Sequence, residues 1–185
     1  MNIASGLIHL GFESGKAQVS GSSNVLIGYR AGTSGIKTMN NVAIGLDALK
    51  NNTGPITGNN CDTSNIAIGT CALNDLTLGK HNIGIGKNAS LNALISTGSV
   101  AIGHTALQKG TGNFNVAIGY ESGKCNTTAV ESVFVGNATG CCKQSLSVAV
   151  GSKVLTEVDQ GIANTGIGYH AGINTCGSST GNIYV

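Results

Sequence analysis

The polar and apolar positions of this chain fall into one short pattern that returns from end to end. Asn41-Val42-Ala43-Ile44-Gly45 is its clearest copy: a polar residue, an aliphatic, a small residue, a second aliphatic and a glycine. Relatives stand at Asn24–Gly28, Asn65–Gly69, Asn82–Gly86, Ser99–Gly103, Asn115–Gly119, Ser132–Gly136, Ser147–Gly151 and Asn164–Gly168. A divergent copy, Leu7–Gly11, opens the chain, and Asn182–Val185 is a cut-off one at its end. The motif glycines lie at 11, 28, 45, 69, 86, 103, 119, 136, 151 and 168, so the period is 17 with single departures of 24, 16 and 15. A fixed period of this size predicts a stacked repeat. Alternation of the apolar residues over two positions predicts a strand in each copy. The expected fold is all-β: a parallel β-roll or β-solenoid with ~17-residue coils, one array over residues 1–185 with motif copies from about 7 to 185.

The alternation sorts side chains onto two faces. The β-branched pairs are expected to fill the coil: Val25 and Ile27, Val42 and Ile44, Ile66 and Ile68, Val100 and Ile102, Val116 and Ile118. The middle residues are then expected to point outward: Leu26, Ala43, Ala67, Gly84, Ala101, Ala117, Phe134 and Ala149. Those are small or apolar where a solvated strand face would carry polar groups. They are therefore read as an interface with other copies of the chain. Three residues after each glycine comes a small residue, then Gly or Leu (Ala31-Gly32, Ala48-Leu49), which suits a tight reversal. The remainder of each period is polar, and is read as a weaker second strand and a return loop. The long period holds a loop insertion at about 51–60 with the only proline, Pro55. No helix signal stands out.

Composition narrows the class. Only 10% of the 185 residues are charged, the net charge is +2, and Lys and Arg are scattered, so nucleic acid is not an expected partner. Aromatics are 4% and Trp is absent, which leaves thin layers of small aliphatics to form the core. No apolar run reaches the ~18 residues of a membrane helix, and no membrane partner is expected. The start lacks the basic and apolar regions of a signal peptide, and Val185 stands where the next copy's isoleucine belongs. Export by another route, such as a virion, or an excerpt of a longer protein is the expectation.

Candidate chemistry is sparse. The six cysteines show no Cys-x-x-Cys spacing, so no zinc site is expected. Cys125 and Cys142 each lie six residues after a motif glycine, which would stack them ~4.8 Å apart and allow a disulfide. Free buried thiols are the preferred reading. The Asn/Ser position is read as a stacked amide ladder rather than a ligand row. His9 occupies a middle position, where copies converging on an axis could hold a metal or anion; its structural role is favoured. Neither Gly84-x-Gly86-Lys87 nor Gly166-x-Gly168 has the spacing or helix of a phosphate loop. No nucleophile–base spacing stands out, so no enzyme activity and no cofactor are expected. The exposed corners Tyr29, Tyr120 and Tyr169, with Pro55 in the loop, are the candidate recognition residues.

The run Asn-Val-Ala-Ile-Gly-x-x-Ala-Leu/Gly followed by a polar stretch resembles two related groups. These are the repeat regions of phage and large-virus tail or capsid fibres, and the head domains of trimeric autotransporter adhesins. Residues 113–123, Asn-Phe-Asn-Val-Ala-Ile-Gly-Tyr-Glu-Ser-Gly, match best, and the likeness runs from about Leu7 to Val185. It implies a homotrimer of left-handed β-rolls. The implied role is a rigid shaft or head on the virion surface that attaches to a host receptor, glycans among the candidates, beside other virion proteins. An adhesin on a bacterial surface is the alternative. Two further rivals fit less well. A left-handed β-helix acyltransferase needs an aliphatic every sixth residue, yet Ile27 is followed by Thr33 and Met39, and Ile44 by Lys50 and Ile56. An ice-binding solenoid needs a threonine grid, and Thr38, Thr53, Thr63, Thr77 and Thr111 are not expected to share one register.

Overall fold

A computed structural model describes residues 5–54, 62–141, 144–156, 161–173 and 179–185. Among them the chain forms thirteen short strands and no helix. Eleven make one parallel sheet in sequence order: β1 (Ile8–Leu10), β2 (Val25–Ile27), β3 (Val42–Ile44), β4 (Ile66–Ile68), β5 (Ile83–Ile85), β6 (Val100–Ile102), β7 (Val116–Ile118), β8 (Val133–Asn137), β10 (Val148–Ser152), β12 (Thr165–Tyr169) and β13 (Ile183–Tyr184). Each coil therefore returns the chain one strand further along a parallel β-solenoid, as the repeat predicts. The motif pairs with itself at every step, Val25 with Val42, Val42 with Ile66 and Ile68 with Ile85. Periods of 15, 16 and 24 change nothing in this register, because the difference is taken up between strands. The second strand is slight: β9 (Gln144–Ser145) pairs with β11 (Gly161–Ile162), and bridges join Met39 to Asp62 and Ile162 to Thr180.

The two faces of the sheet are the reverse of what the sequence pattern suggested. The middle residues expected to form an interface, Leu26, Ala43, Ala67, Gly84, Ala101, Ala117, Phe134 and Ala149, are buried inside the coil of their own chain. The flanking residues expected to fill it, Val25, Ile27, Val42, Ile44, Ile66, Ile68, Val100, Ile102 and Val116, are only half-buried, and Ile118 is exposed. They form the outer face. The physical reason is room. Two backbone walls enclose a narrow interior that two β-branched residues per coil would overfill.

Volume inside the coil is balanced between the middle residue and the Gly or Leu six residues on. Where the middle residue is large, its partner is glycine, and a Cβ there would run into the large side chain: Gly15 against His9, Gly32 against Leu26, Gly140 against Phe134. Where the middle residue is alanine, leucine fills the space, as in Ala43 with Leu49, Ala67 with Leu73, Ala101 with Leu107 and Ala149 with Leu155. Ala117 is paired with Gly123, and there Leu107 and Phe134 reach in from the neighbouring coils. The small residues just before, Ala31, Ala48, Ala72 and Ala106, are wholly buried too, so they serve packing as much as the turn.

That leucine sits in a left-handed backbone conformation, with φ of 52° at Leu49, 50° at Leu73, 48° at Leu107 and 49° at Leu155. The conformation costs ~1–2 kcal/mol for a non-glycine residue. Burying the side chain returns ~1.5–3 kcal/mol, which explains why leucine is kept wherever the space is free. The motif glycine has no such alternative. Its φ is 126–135° in every coil, and from Gly11 to Gly151 a Cβ would overlap the carbonyl of the next coil's motif glycine.

The Asn/Ser position forms the expected ladder, buried from Asn24 to Asn164. Asn24 Oδ1 accepts from the backbone N–H of Asn41 at 2.9 Å, Asn41 Oδ1 from that of Asn65 at 2.9 Å, and Asn65 Oδ1 from that of Asn82 at 3.0 Å. Serine hydroxyls carry it on, Ser99 Oγ accepting from Asn115 N–H at 3.2 Å and Ser147 Oγ from Asn164 N–H at 3.1 Å. The asparagine amides donate across the coil, Asn24 to the Thr38 carbonyl at 2.8 Å and Asn115 to that of Ala129 at 2.7 Å. Each rung thus satisfies backbone groups that burial would otherwise strand.

Candidate interaction surfaces

The outer face is built by alternation alone. Once the middle residue of β2 to β12 points inward, its neighbours on either side must point out. They make two columns of Val and Ile along the sheet, interrupted only by Thr165 in β12. Exposure is highest at the two ends of the sheet, 56% at Ile8 and 77% at Ile183, and the columns between are half-buried or just exposed. The columns form one contiguous apolar strip along the sheet.

A corner borders this face, starting just after each motif glycine. Its residues are Phe12, Tyr29, Leu46, Thr70, Lys87, His104, Tyr120, Asn137, Ser152 and Tyr169. The three candidate tyrosines all lie on it, exposed by 45% at Tyr29, 52% at Tyr120 and 73% at Tyr169. Neighbouring coils stack their rings: Phe12 on Tyr29 at 5.4 Å between centroids, His104 on Tyr120 at 5.3 Å. The Arg30 guanidinium lies 4.9 Å from the centre of the Tyr29 ring and makes two bonds to Asp47, of 2.8 and 2.7 Å. The hydrogen bonds to Asp47, followed by its charge, raise the Arg30 pKa further above an already high value. On the C-terminal side, Lys124 Nζ donates to Glu121 at 2.7 Å and holds that carboxyl below its ordinary range.

The remaining candidates resolve as follows. His9 lies on the same side of its strand as the buried middle residues, with its ring against Gly15, and is exposed; that side is not the one of the outer Val/Ile columns. Pro55 and Cys142 lie outside the described residues, and with Cys142 the proposed pairing to Cys125. The Cys125 residue is exposed, not buried. Among the described residues no three of His, Cys, Asp and Glu gather in one place. The five threonines do not hold one register: Thr53, Thr77 and Thr111 lie eight residues after their motif glycines, and Thr38 and Thr63 lie elsewhere in the coil. The hydroxyls of the first three donate to carbonyls of the next coil, Thr77 to Leu94 at 2.7 Å and Thr111 to Thr127 at 2.6 Å. Thr38 and Thr63 are buried.

The side each residue takes has a signal in the sequence: in most coils the middle residue and the residue six on vary inversely in size, as Leu26 with Gly32 and Ala43 with Leu49 do. No family model, curated protein or solved structure matches this chain.

Proposed function

We propose that this chain is a structural segment of a viral fibre: a rigid β-solenoid that associates with copies of itself and carries its corners toward a host surface. The observation that supports association is the unpartnered Val/Ile face, apolar over the length of the sheet. Homotrimer and left-handed coil are the forms that the resemblance to fibre and adhesin repeats implies. Host attachment through Tyr29, Tyr120 and Tyr169, on the virion surface and without catalysis or cofactor, rests on that resemblance together with the exposure of the corner. Eleven parallel strands at ~4.8 Å each give a segment about 50 Å long. Light scattering on the purified chain tests the reading. Three times the chain mass over a wide concentration range is expected; a folded, stable monomer would refute it.

A further inference from the structure

A repeating face has a register problem. If two copies meet through Val/Ile columns alone, sliding one of them by a single strand keeps ten of the eleven strands in contact. Contacts so nearly equivalent specify register weakly. Area is short as well. A strip about 50 Å long and about 10 Å wide covers about 500 Å², whereas stable interfaces bury about 800 Å² per partner.

The corner breaks the periodicity: three consecutive apolar residues stand at its N-terminal end, whereas Tyr120 and Tyr169 stand singly further along. In the first three coils it is apolar and exposed, with Phe12 at 65%, Tyr29 at 45% and Leu46 at 46%. The next three coils carry Thr70, Lys87 and His104 there. The apolar surface is thus one column wider beside β1 to β3 than beside β4 to β6. Burying what these three side chains expose adds on the order of 250 Å², which brings the total close to the usual size. Two of the three are braced, Phe12 by stacking on Tyr29, and Tyr29 by the Arg30 guanidinium that Asp47 holds. Rigid aromatic and arginine side chains of this kind dominate interface energies.

We propose that the Phe12–Tyr29–Leu46 corner locks two copies of this chain into a single strand register, which takes Tyr29 out of the receptor-facing set and leaves Tyr120 and Tyr169 for host contact. The inference rests on the self-association proposed above. In register, the corner of one copy lies against the edge of the neighbour's Val/Ile face beside β1 to β3. A slip of one strand removes part of it from that contact, while the aliphatic columns alone hardly notice.

The test compares the wild-type chain with Phe12→Ser/Tyr29→Ser/Leu46→Ser, using light scattering and the δ1-methyl NMR signals of Ile68, Ile85 and Ile102. All three substitutions are on exposed side chains, and an unchanged far-ultraviolet circular dichroism spectrum confirms the fold; if it is lost, Tyr29→Ser alone is used. The wild type is expected to associate and show one signal per isoleucine. The folded variant is expected either to split each signal into several registers or to dissociate at concentrations at least tenfold higher than those at which the wild type does. A variant that associates as tightly, with single unshifted signals, overturns the register role and leaves self-association standing. A wild type that is monomeric throughout overturns both.

Discussion

The two faces of the eleven-strand sheet are built from the same five-residue motif, yet they differ in how residue size varies. Inside, the middle position ranges from glycine at 84 to phenylalanine at 134, and each change is answered by another residue of the same or a neighbouring coil. Outside, the residues are nearly all Val or Ile, and nothing among the described residues answers them. Compensation is the mark of a space the chain must fill by itself. Uniformity without compensation is what the proposed self-association rests on, since a second copy of the chain would be an equally regular object.

The sharpest contrast between the faces is at the glycine that ends each strand. Gly103→Val places a Cβ against the Gly119 carbonyl at a φ of 132°, so a loss of more than about 4 kcal/mol, read as failure to fold, is expected. A folded Gly103→Val chain would show that the glycine ladder is not required. The compensation itself can be tested by a double-mutant cycle. Ala43→Leu overfills its coil and Leu49→Gly empties it, each costing about 1–3 kcal/mol. Together they recreate the Leu26 and Gly32 pair of the preceding coil, and denaturant unfolding should show the double variant recovering about 1–3 kcal/mol relative to the sum. Additive losses would mean that the two positions do not share one space.

The smallest effect is expected on the corner. Lys124→Ala removes the hydrogen bond that keeps the Glu121 carboxyl acidic, so NMR titration should show its pKa rising toward the ordinary value. The sign follows from linkage. A carboxyl depressed in the folded state contributes stability above its unfolded pKa, and that contribution disappears as the pH falls through the folded one. The pair is part-exposed, so the melting temperature at neutral pH should hardly move. A large drop would mean that the corner holds the fold together and is not free for recognition.

Much of this architecture was legible in the residues. The Asn-x-x-x-Gly period gave the strands, their parallel order and their register, because a motif that must satisfy the same hydrogen bonds in every coil can pair only with itself. The Asn24–Asn41–Asn65 ladder was legible for the same reason. Which side of the strand faced inward was not. Alternation says that Val42 and Ile44 share a side and Ala43 takes the other, but it is silent on which is enclosed, and hydrophobicity pointed the wrong way. Only the inverse sizes of Leu26 with Gly32 and Ala43 with Leu49 decide it, and that requires two positions to be read together. The left-handed backbone at Leu49 and Leu73 was hidden too, since nothing in a leucine announces a conformation that glycine normally supplies.

Ala101 and Ile102 are consecutive residues on opposite faces, and sedimentation velocity of Ala101→Lys beside Ile102→Lys tests the account most directly. A lysine at 101 puts an unpaired charge into the coil and should give an unfolded, slowly sedimenting or aggregating chain. A lysine at 102 should leave a compact, folded chain that no longer associates. The reverse result, Ala101→Lys folded but monomeric and Ile102→Lys unfolded, would contradict the assignment of the two faces.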